Sequence, residues 1–171
     1  MPRFRLIPER SAVVIEATSS VHPIHSRTQG LEGYVDLDVD DSGRVRPGVG
    51  SKAEISLAVS RLASGNPVQD IEMRRRIDAR RFPTIDGEVT TMKETGTEGT
   101  LRVAGNVTFR GVTQPHEDDL AFALGDEGEL TIEGESVFDV REFGMEPPRI
   151  LMLRVHPDVK VRLEAVAVRD D

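Results

Sequence analysis

The sequence predicts an all-β fold: a closed antiparallel barrel of about eight strands, with one α-helix inserted near residues 66–77. Three observations predict this fold class. Apolar residues recur with a period of two over much of the chain, which is typical of strands that bury one face. Helix start signals stand out at one place, so strands and helices do not alternate as they would around a parallel sheet. An antiparallel sheet of this size hides its edges most simply by closing into a barrel.

Four segments show the period of two most clearly, and each is predicted to be a strand. They are residues 101–109, 120–124, 130–138 and 159–165. Weaker alternation is found at residues 13–21, 33–39, 55–59 and 85–91. Gly105 and Gly134 fall on the apolar parity in mid-strand, which favours strands that bend sharply around a lumen. Residues 40–50 are expected to form a mobile loop.

The single helix is predicted to begin at Asn66 and to end near Ile77. Asparagine accepts hydrogen bonds from the free amides of a first helical turn, and proline such as Pro67 is tolerated at the first helical position. The Gln69 side chain can reach back to the backbone of the capping residue. Beyond a short basic stretch, Pro83 returns the chain to extended structure because it disfavours helical angles at the residue before it.

The apolar residues of this helix are divided between two sides. Val68 and Ile71 share one face, whereas Met73 and Ile77 point away from it. The division fits a helix held between the barrel and a partner or ligand, and it fits equally a partly buried lid.

Length and composition indicate one domain, residues 1–171, of moderate size. The chain has 22 Lys and Arg against 30 Asp and Glu, and this net charge of −8 argues against a general nucleic-acid binder. It contains no cysteine, which suits a reducing compartment. Charge and proline interrupt the N-terminal residues too early for a signal peptide, and no run reaches membrane-spanning length. We expect a cytoplasmic protein with no integral membrane segment.

Three segments resemble, in order, motifs of the YceI-like family. Residues 71–85 resemble its helix followed by an aromatic-Pro-x-Ile strand, residues 103–113 its v-x-G-x-L-t-x-x-G-v-t hairpin, and residues 139–144 its Arg-x-x-Phe-Gly signature. Residues 4–14 also fit, so the similarity spans nearly the whole chain. These proteins are lipocalin-like barrels associated with binding polyisoprenoid chains. The resemblance therefore implies a lipocalin-like barrel that binds such a ligand, and a possible homodimer.

The interior favours an apolar tunnel, because Val, Ala, Gly and Leu dominate it and an eight-stranded barrel can either fill itself or hold one slender ligand. We expect the protein to bind, carry or sequester a long apolar molecule, such as an isoprenoid lipid or a quinone, and to need no cofactor. A barrel filled by its own side chains is the alternative. The predicted lumen-lining residues are Ile71, Met73, Ile77, Phe82, Val103, Val107, Phe109, Phe122, Ile132, Phe138 and Phe143.

Arginines are concentrated at the end of the predicted helix, at positions 74, 75, 76, 80 and 81. Guanidinium forks suit an anionic head group such as a pyrophosphate. The candidates for such a head-group site are Arg74, Arg75, Arg80 and Arg81. A solvated helix end is the alternative, since cations are favoured by C-terminal carbonyls. A further alternative is a non-lipid interaction protein, or a lid-gated enzyme, that uses segment 74–81 as its docking surface.

Residues 141–144 are predicted to have a structural role. Phe143 is expected to plug one end of the barrel, Gly144 to adopt a backbone angle that other residues resist, and Arg141 to pair with a carboxylate.

The sequence carries no motif of enzymatic chemistry, and we predict no catalytic residue. It lacks a G-x-S-x-G elbow, a phosphate loop and a G-x-G-x-x-G turn, and Ser26 beside His25 would point to the opposite face of a strand. Neighbouring carboxylates such as Asp118 and Asp119 are expected to face solvent.

A metal site is also not expected. His22, His25 and the distant His156 could supply three imidazoles. However, Pro23 interrupts the first segment and no cysteine is present.

Overall fold

A computed structural model of the chain describes residues 1–20, 23–145, 149–150 and 153–170. The strands are β1 (Arg3–Leu6), β2 (Ala12–Ser19), β3 (Pro23–Gln29), β4 (Glu32–Asp36), β5 (Asp38–Val39), β6 (Val45–Arg46), β7 (Lys52–Ala58), β8 (Thr84–Glu94), β9 (Thr100–Phe109), β10 (Val112–Leu124), β11 (Leu130–Asp139), β12 (Arg149–Ile150) and β13 (Leu153–Arg169). The helix α1 spans Pro67–Ile77, and short 3-10 turns occupy Pro8–Arg10, Val59–Arg61 and Val140–Phe143.

Eight strands close into an antiparallel barrel, which confirms the predicted fold class. Their order around the ring is β1, β4, β7, β8, β9, β10, β11 and β13, and β13 pairs with β1 to complete it. β2 pairs with β13 along residues 155–164, and β3 pairs with β2. The 17-residue strand β13 therefore holds β2 along its first part and β1 along its last part.

The two ends of the barrel differ in how tightly they are packed. We call the end at which β1 pairs with β4 and β13 the closed end, and the end formed by β2, β3 and the start of β10 the open end. Inward side chains at the closed end are almost completely buried, as Leu101 and Leu130 show. Several inward side chains at the open end, such as Val107 and Phe138, are only partly buried.

An ion pair joins β1 to β4 at the closed end. The Arg3 guanidinium donates from Nε to Oδ1 of Asp36 at 2.8 Å and from Nη2 to Oδ2 at 2.9 Å. The hydrogen bond from Arg3 lowers the pKa of the Asp36 carboxyl, against the opposing effect of partial burial. The same guanidinium lies 3.7 Å from the centre of the Tyr34 ring.

The helix cap matches the sequence prediction in most respects. The Asn66 side chain accepts hydrogen bonds from the amides of Val68 and Gln69, and Asp78 ends the helix in the left-handed conformation with φ 60°. Gln69 differs from the prediction, because its carbonyl oxygen accepts from the Ser64 hydroxyl at 3.2 Å instead of reaching back to Asn66.

Two segments were not anticipated. Strand β3 had no recognisable alternation and owes its place to pairing with β2 from Ala12↔Gln29 to Thr18↔Pro23. Within residues 40–50, predicted to be a mobile loop, Val45 and Arg46 form the second strand of a β5–β6 ribbon. The Asp40 carboxylate accepts hydrogen bonds from the Ser42 hydroxyl and from the amides of Arg44 and Ser42 in the connecting turn, and these bonds hold its pKa well below the usual range.

Gly105 marks the sharp bend that its mid-strand position predicted. A Cβ at this position would lie 1.7 Å from the carbonyl oxygen of Glu88. The register between β8 and β9 shifts between Val89 and Thr91, next to this close approach. Only glycine fits here, because any side chain would push the two strands apart.

Candidate ligand-binding cavity

A cavity of about 400 Å³ lies inside the barrel. Ligand pockets in proteins have volumes of roughly 300–1,000 Å³, so this space is large enough for a small molecule. Its wall is built mainly from apolar side chains of the barrel strands and of α1. The lining side chains that the sequence pattern had not singled out include Val13, Ile15, Ile24, Ile55, Leu57, Ile85, Leu120 and Val161.

Nine of the eleven predicted lumen residues line this cavity. They are Met73, Ile77, Val103, Val107, Phe109, Phe122, Ile132, Phe138 and Phe143. The other two lie elsewhere. Ile71 is 65% exposed on the outer face of α1, together with Val68 at 56%. The Phe82 ring lies over Gly111 and beside the guanidinium of Arg81. The two-sided helix thus turns Met73 and Ile77 inward and leaves Val68 and Ile71 outside.

Helix α1 borders the cavity, to which it contributes Gln69, Asp70, Met73 and Ile77. The carboxylate of Asp70 is buried and accepts hydrogen bonds from the amide and hydroxyl of Ser64, at 2.8 and 2.7 Å. These bonds tie the first turn of the helix to the segment that precedes it.

The segment before the helix is in turn held to the barrel. The Ser26 hydroxyl on β3 donates to the Ala63 carbonyl at 2.5 Å. The Arg74 guanidinium donates to the carbonyls of Ser60 and Leu62 at 3.4 and 3.1 Å. Arg74 therefore acts as a brace between the helix and its lead-in segment.

None of the four predicted head-group arginines is among the cavity-lining residues that the structure describes. Arg75 is 82% exposed and lies 3.8 Å from Glu72, and Arg81 is 75% exposed and lies 3.7 Å from Asp78. Arg80 is also exposed. The positions of these side chains fit the solvated helix end better than a mouth, and the head-group role stays a prediction.

A polar cluster stands on the inner wall at the open end of the cavity. Nε2 of His116 lies 3.1 Å from Oγ of Ser136 and 3.6 Å from Oδ2 of Asp118. The imidazole also packs on the Phe138 ring, with centroids 4.6 Å apart. All of these residues line the cavity. The expectation that Asp118 faces solvent is therefore wrong. It shares the even parity of Leu120 and Phe122 on β10, and this signal could have placed it inside.

The cluster contains the residue types of a nucleophilic triad but not its geometry. In such a triad the serine and the carboxylate lie at opposite nitrogens of the imidazole, so that one orients the ring while the other loses its proton. Here the Ser136 hydroxyl and the Asp118 carboxylate both lie nearest Nε2. The arrangement can give and accept hydrogen bonds, but it does not form a proton relay to Ser136.

The 141–144 segment has the local geometry that was predicted for it. Gly144 adopts φ 72°, and Arg141 donates to Asp139 at 2.7 Å, which lowers the pKa of the Asp139 carboxyl. Phe143 is 3% exposed and meets Phe109 edge to face, with centroids 5.8 Å apart. Phe143 lines the cavity at the open end, close to where the chain leaves β11.

Other site types find little support in the described residues. Among them no group of three or more His, Cys, Asp or Glu side chains is placed to hold a metal ion. His25 and His156 lie beside Glu16 and Asp158 at 3.6 and 3.9 Å, and His22 falls outside the described residues. Among the described helices, none has the length and apolar character needed to cross a membrane.

An eight-stranded antiparallel barrel around an apolar cavity defines a class of small ligand-binding barrels. The family model described as YceI-like domain matches residues 4–167. The chain therefore belongs to the YceI-like domain family. No curated protein sequence matches it.

Several solved structures share this fold at low sequence identity. BcnA from Burkholderia cenocepacia has a TM-score of 0.79 and 14% identity, with 95% of this chain and 99% of that chain covered. A polyisoprenoid binding domain from Saccharophagus degradans, implicated in plant cell wall breakdown, has a TM-score of 0.79 and 12% identity, with 99% and 100% covered. The YCEI protein of Campylobacter jejuni has a TM-score of 0.64 and 13% identity, with 85% and 84% covered.

Proposed function

We propose that this protein binds a long apolar molecule, an isoprenoid lipid or a quinone, within the barrel and carries or sequesters it without chemical change. The observation that carries the proposal is the cavity of about 400 Å³ with its mainly apolar wall. Burying each methylene contributes about 0.8 kcal/mol, so even a short prenyl chain would bind without any hydrogen bond. The polyisoprenoid-binding description of the Saccharophagus domain supports the same class of ligand.

The ligand-contacting residues in this proposal are those that line the cavity. At the open end they include Met73, Ile77, Val107, Phe109 and Phe138. These side chains are only partly buried, except for Ile77 at 3% exposure. Covering them would remove further apolar surface from water, which favours an apolar occupant at this end.

The direct test is native mass spectrometry of the purified protein, combined with organic extraction and analysis of the released molecules. A co-purifying apolar molecule supports the proposal. Protein that carries none, and that also takes up no prenyl chain or quinone when these are added, contradicts it and favours partner docking at segment 74–81.

A matched pair of variants localises the binding site. Val107→Phe adds a ring inside the cavity, whereas Val137→Phe adds the same ring at an outward position that is 62% exposed. We expect Val107→Phe to weaken uptake at least about tenfold by occupying volume, and Val137→Phe to leave it unchanged. Equal effects of both substitutions would place the ligand elsewhere.

Homodimerisation and a cytoplasmic location are further parts of the proposal. Sedimentation equilibrium of the purified chain tests the first, and fractionation of the source cells tests the second.

A further inference from the structure

The polar cluster His116, Asp118 and Ser136 contains a hydrogen-bond acceptor that is not satisfied within the described residues. Oδ1 of Asp118 accepts from the amide of Asp119 at 2.8 Å. Oδ2 is buried and has no hydrogen-bond partner there, since Nε2 of His116 at 3.6 Å is beyond hydrogen-bond range. Leaving a buried carboxylate oxygen without a donor is costly, so such atoms normally have a partner.

The described residues place no donor within hydrogen-bond range of this oxygen, although Asp118 itself lines the cavity. His116 pairs directly with Gly105 on β9, which brings no side chain to the inner wall. On the other side, β10 is paired with β11 only from Ala121 to Leu124, four of its thirteen residues. The open-end part of β10 therefore contacts β11 through side chains, among them the His116 and Ser136 pair.

The hydrogen-bond donors and acceptors of the cluster determine which chemical group of a ligand would be complementary to it. The Asp118 carboxylate can only accept, and it does so in a wall that is otherwise mainly apolar. The Ser136 hydroxyl can donate to a ligand oxygen as well as accept. A neutral hydroxyl group matches both, because it donates one hydrogen bond and accepts another. An anionic group would face a carboxylate in surroundings that screen charge poorly.

We propose that Asp118, Ser136 and His116 anchor a neutral head group that donates a hydrogen bond, such as the hydroxyl of a prenyl alcohol. A rotation of the Asp118 side chain turns Oδ2 toward the cavity, where the ligand hydroxyl donates to it and accepts from Ser136, while the prenyl tail extends along the apolar lining toward the closed end. This rests on the proposed function, and it specifies the ligand class as prenyl alcohols in preference to prenyl pyrophosphates. It also reverses the selectivity that a head-group role for the helix arginines would produce.

The test compares three probes with the same tail: farnesol, farnesyl pyrophosphate and the hydrocarbon farnesene. Affinities are measured by displacement of a fluorescent farnesyl analogue. A hydrogen bond to a charged acceptor should make farnesol bind about ten- to a hundredfold more tightly than farnesene. Farnesyl pyrophosphate should bind more weakly than farnesol.

Substitutions in the cluster test whether it causes the higher affinity for farnesol. Asp118→Leu and Ser136→Ala should each reduce the advantage of farnesol over farnesene. Asp118→Asn should reduce the discrimination against the pyrophosphate, because it removes the charge with little change of shape. The control is Asp119→Asn, since Asp119 points outward and pairs with Arg102 at 2.6 Å. This control should leave all three affinities unchanged.

The outcomes separate this inference from the function on which it rests. If the three probes bind the unchanged protein with equal affinity, or if farnesol keeps its advantage in both Asp118→Leu and Ser136→Ala, the anchor is overturned while lipid binding stands. Tighter binding of the pyrophosphate also overturns the anchor and favours the helix arginines. Failure of all three probes to bind overturns both proposals.

Discussion

Strands β9 and β11 run through both the closed and the open end of the barrel, and their inward side chains are buried to different extents at the two ends. On β9, Leu101 is 2% exposed and is not among the described cavity-lining residues, whereas Val107 on the same face is only partly buried and borders the cavity. On β11, the inward series runs from Leu130 at 0% exposure to the partly buried Ser136. One period-two pattern thus buries the inward side chains almost completely at one end and only partly at the other.

The difference shows how a barrel can be stable and still contain a cavity. Leu and Phe residues fill the closed end, and the Arg3–Asp36 pair fastens β1 to β4 there. At the open end, polar inward residues such as His116 and Ser136 border the cavity and are only partly buried. We infer that the closed end supplies most of the folding free energy, since full burial stabilises and a void forfeits packing contacts.

The largest expected effect comes from placing a charge at each end. Val103→Asp should destabilise the protein by about 3–5 kcal/mol because it leaves an unpaired charge at a position that is only 6% exposed. Val107→Asp should cost about 1–2 kcal/mol, since this position is only partly buried. Thr108→Asp, on the outer face, should cost less than about 0.5 kcal/mol. Urea unfolding gives all three values. Equal unfolding midpoints for Val103→Asp and Thr108→Asp would refute the assigned register.

Replacing a leucine by alanine at each end should give a smaller difference in stability, again with the larger loss at the closed end. Leu130→Ala should cost about 2–5 kcal/mol, because the surrounding core cannot collapse into the space. Leu163→Ala should cost less than about 2 kcal/mol, because this side chain already borders the cavity. Thermal unfolding of both variants provides the comparison. A larger loss for Leu163→Ala would mean that the open end is the better packed of the two.

The Arg3–Asp36 pair predicts a modest pH dependence at the closed end. The folded protein lowers the pKa of the Asp36 carboxyl, so the pair contributes stability above the unfolded pKa of about 4 and loses it as the pH falls through the folded value. Asp36→Asn should therefore be less stable than the unchanged protein at pH 7 and should lose less stability on acidification. Urea unfolding of both proteins, measured at pH 7 and at a pH below the unfolded pKa of about 4, checks this. Parallel losses in the two proteins would show that Asp36 does not contribute.

The smallest effect is expected outside the open end, at the exposed helix arginines. Replacing Arg75 and Arg80 together by Gln should change the affinity for farnesyl pyrophosphate less than about twofold, because screened surface charges contribute little. The titration is repeated at low and high salt. The opposite result has two parts: the double substitution clearly lowers the affinity for farnesyl pyrophosphate, and added salt lowers this affinity in the unchanged protein as well. That result would assign a head-group role to these arginines.

Particular residues show how far the sequence could be interpreted. The parity of residues 101–109 and 130–138 placed Val107, Phe109 and Phe138 on the cavity wall, and Asn66 marked the helix start. The same rule, extended from Leu120 back along β10, would have placed Asp118 inside. Charged residues usually mark the solvent side of a strand, so the charge of Asp118 favours the opposite assignment.

The sequence by itself determined the periods of two, the helix cap and the motifs that identify the family, because each depends on neighbours a few residues apart. Only the tertiary structure decided which inward residues are packed and which border a cavity. It also decided that β3 is a strand, and that His116, Asp118 and Ser136 meet while the helix arginines stay outside. These outcomes depend on how strands distant in the chain curve and pair around a common axis, and the alternation within any one strand does not encode that curvature.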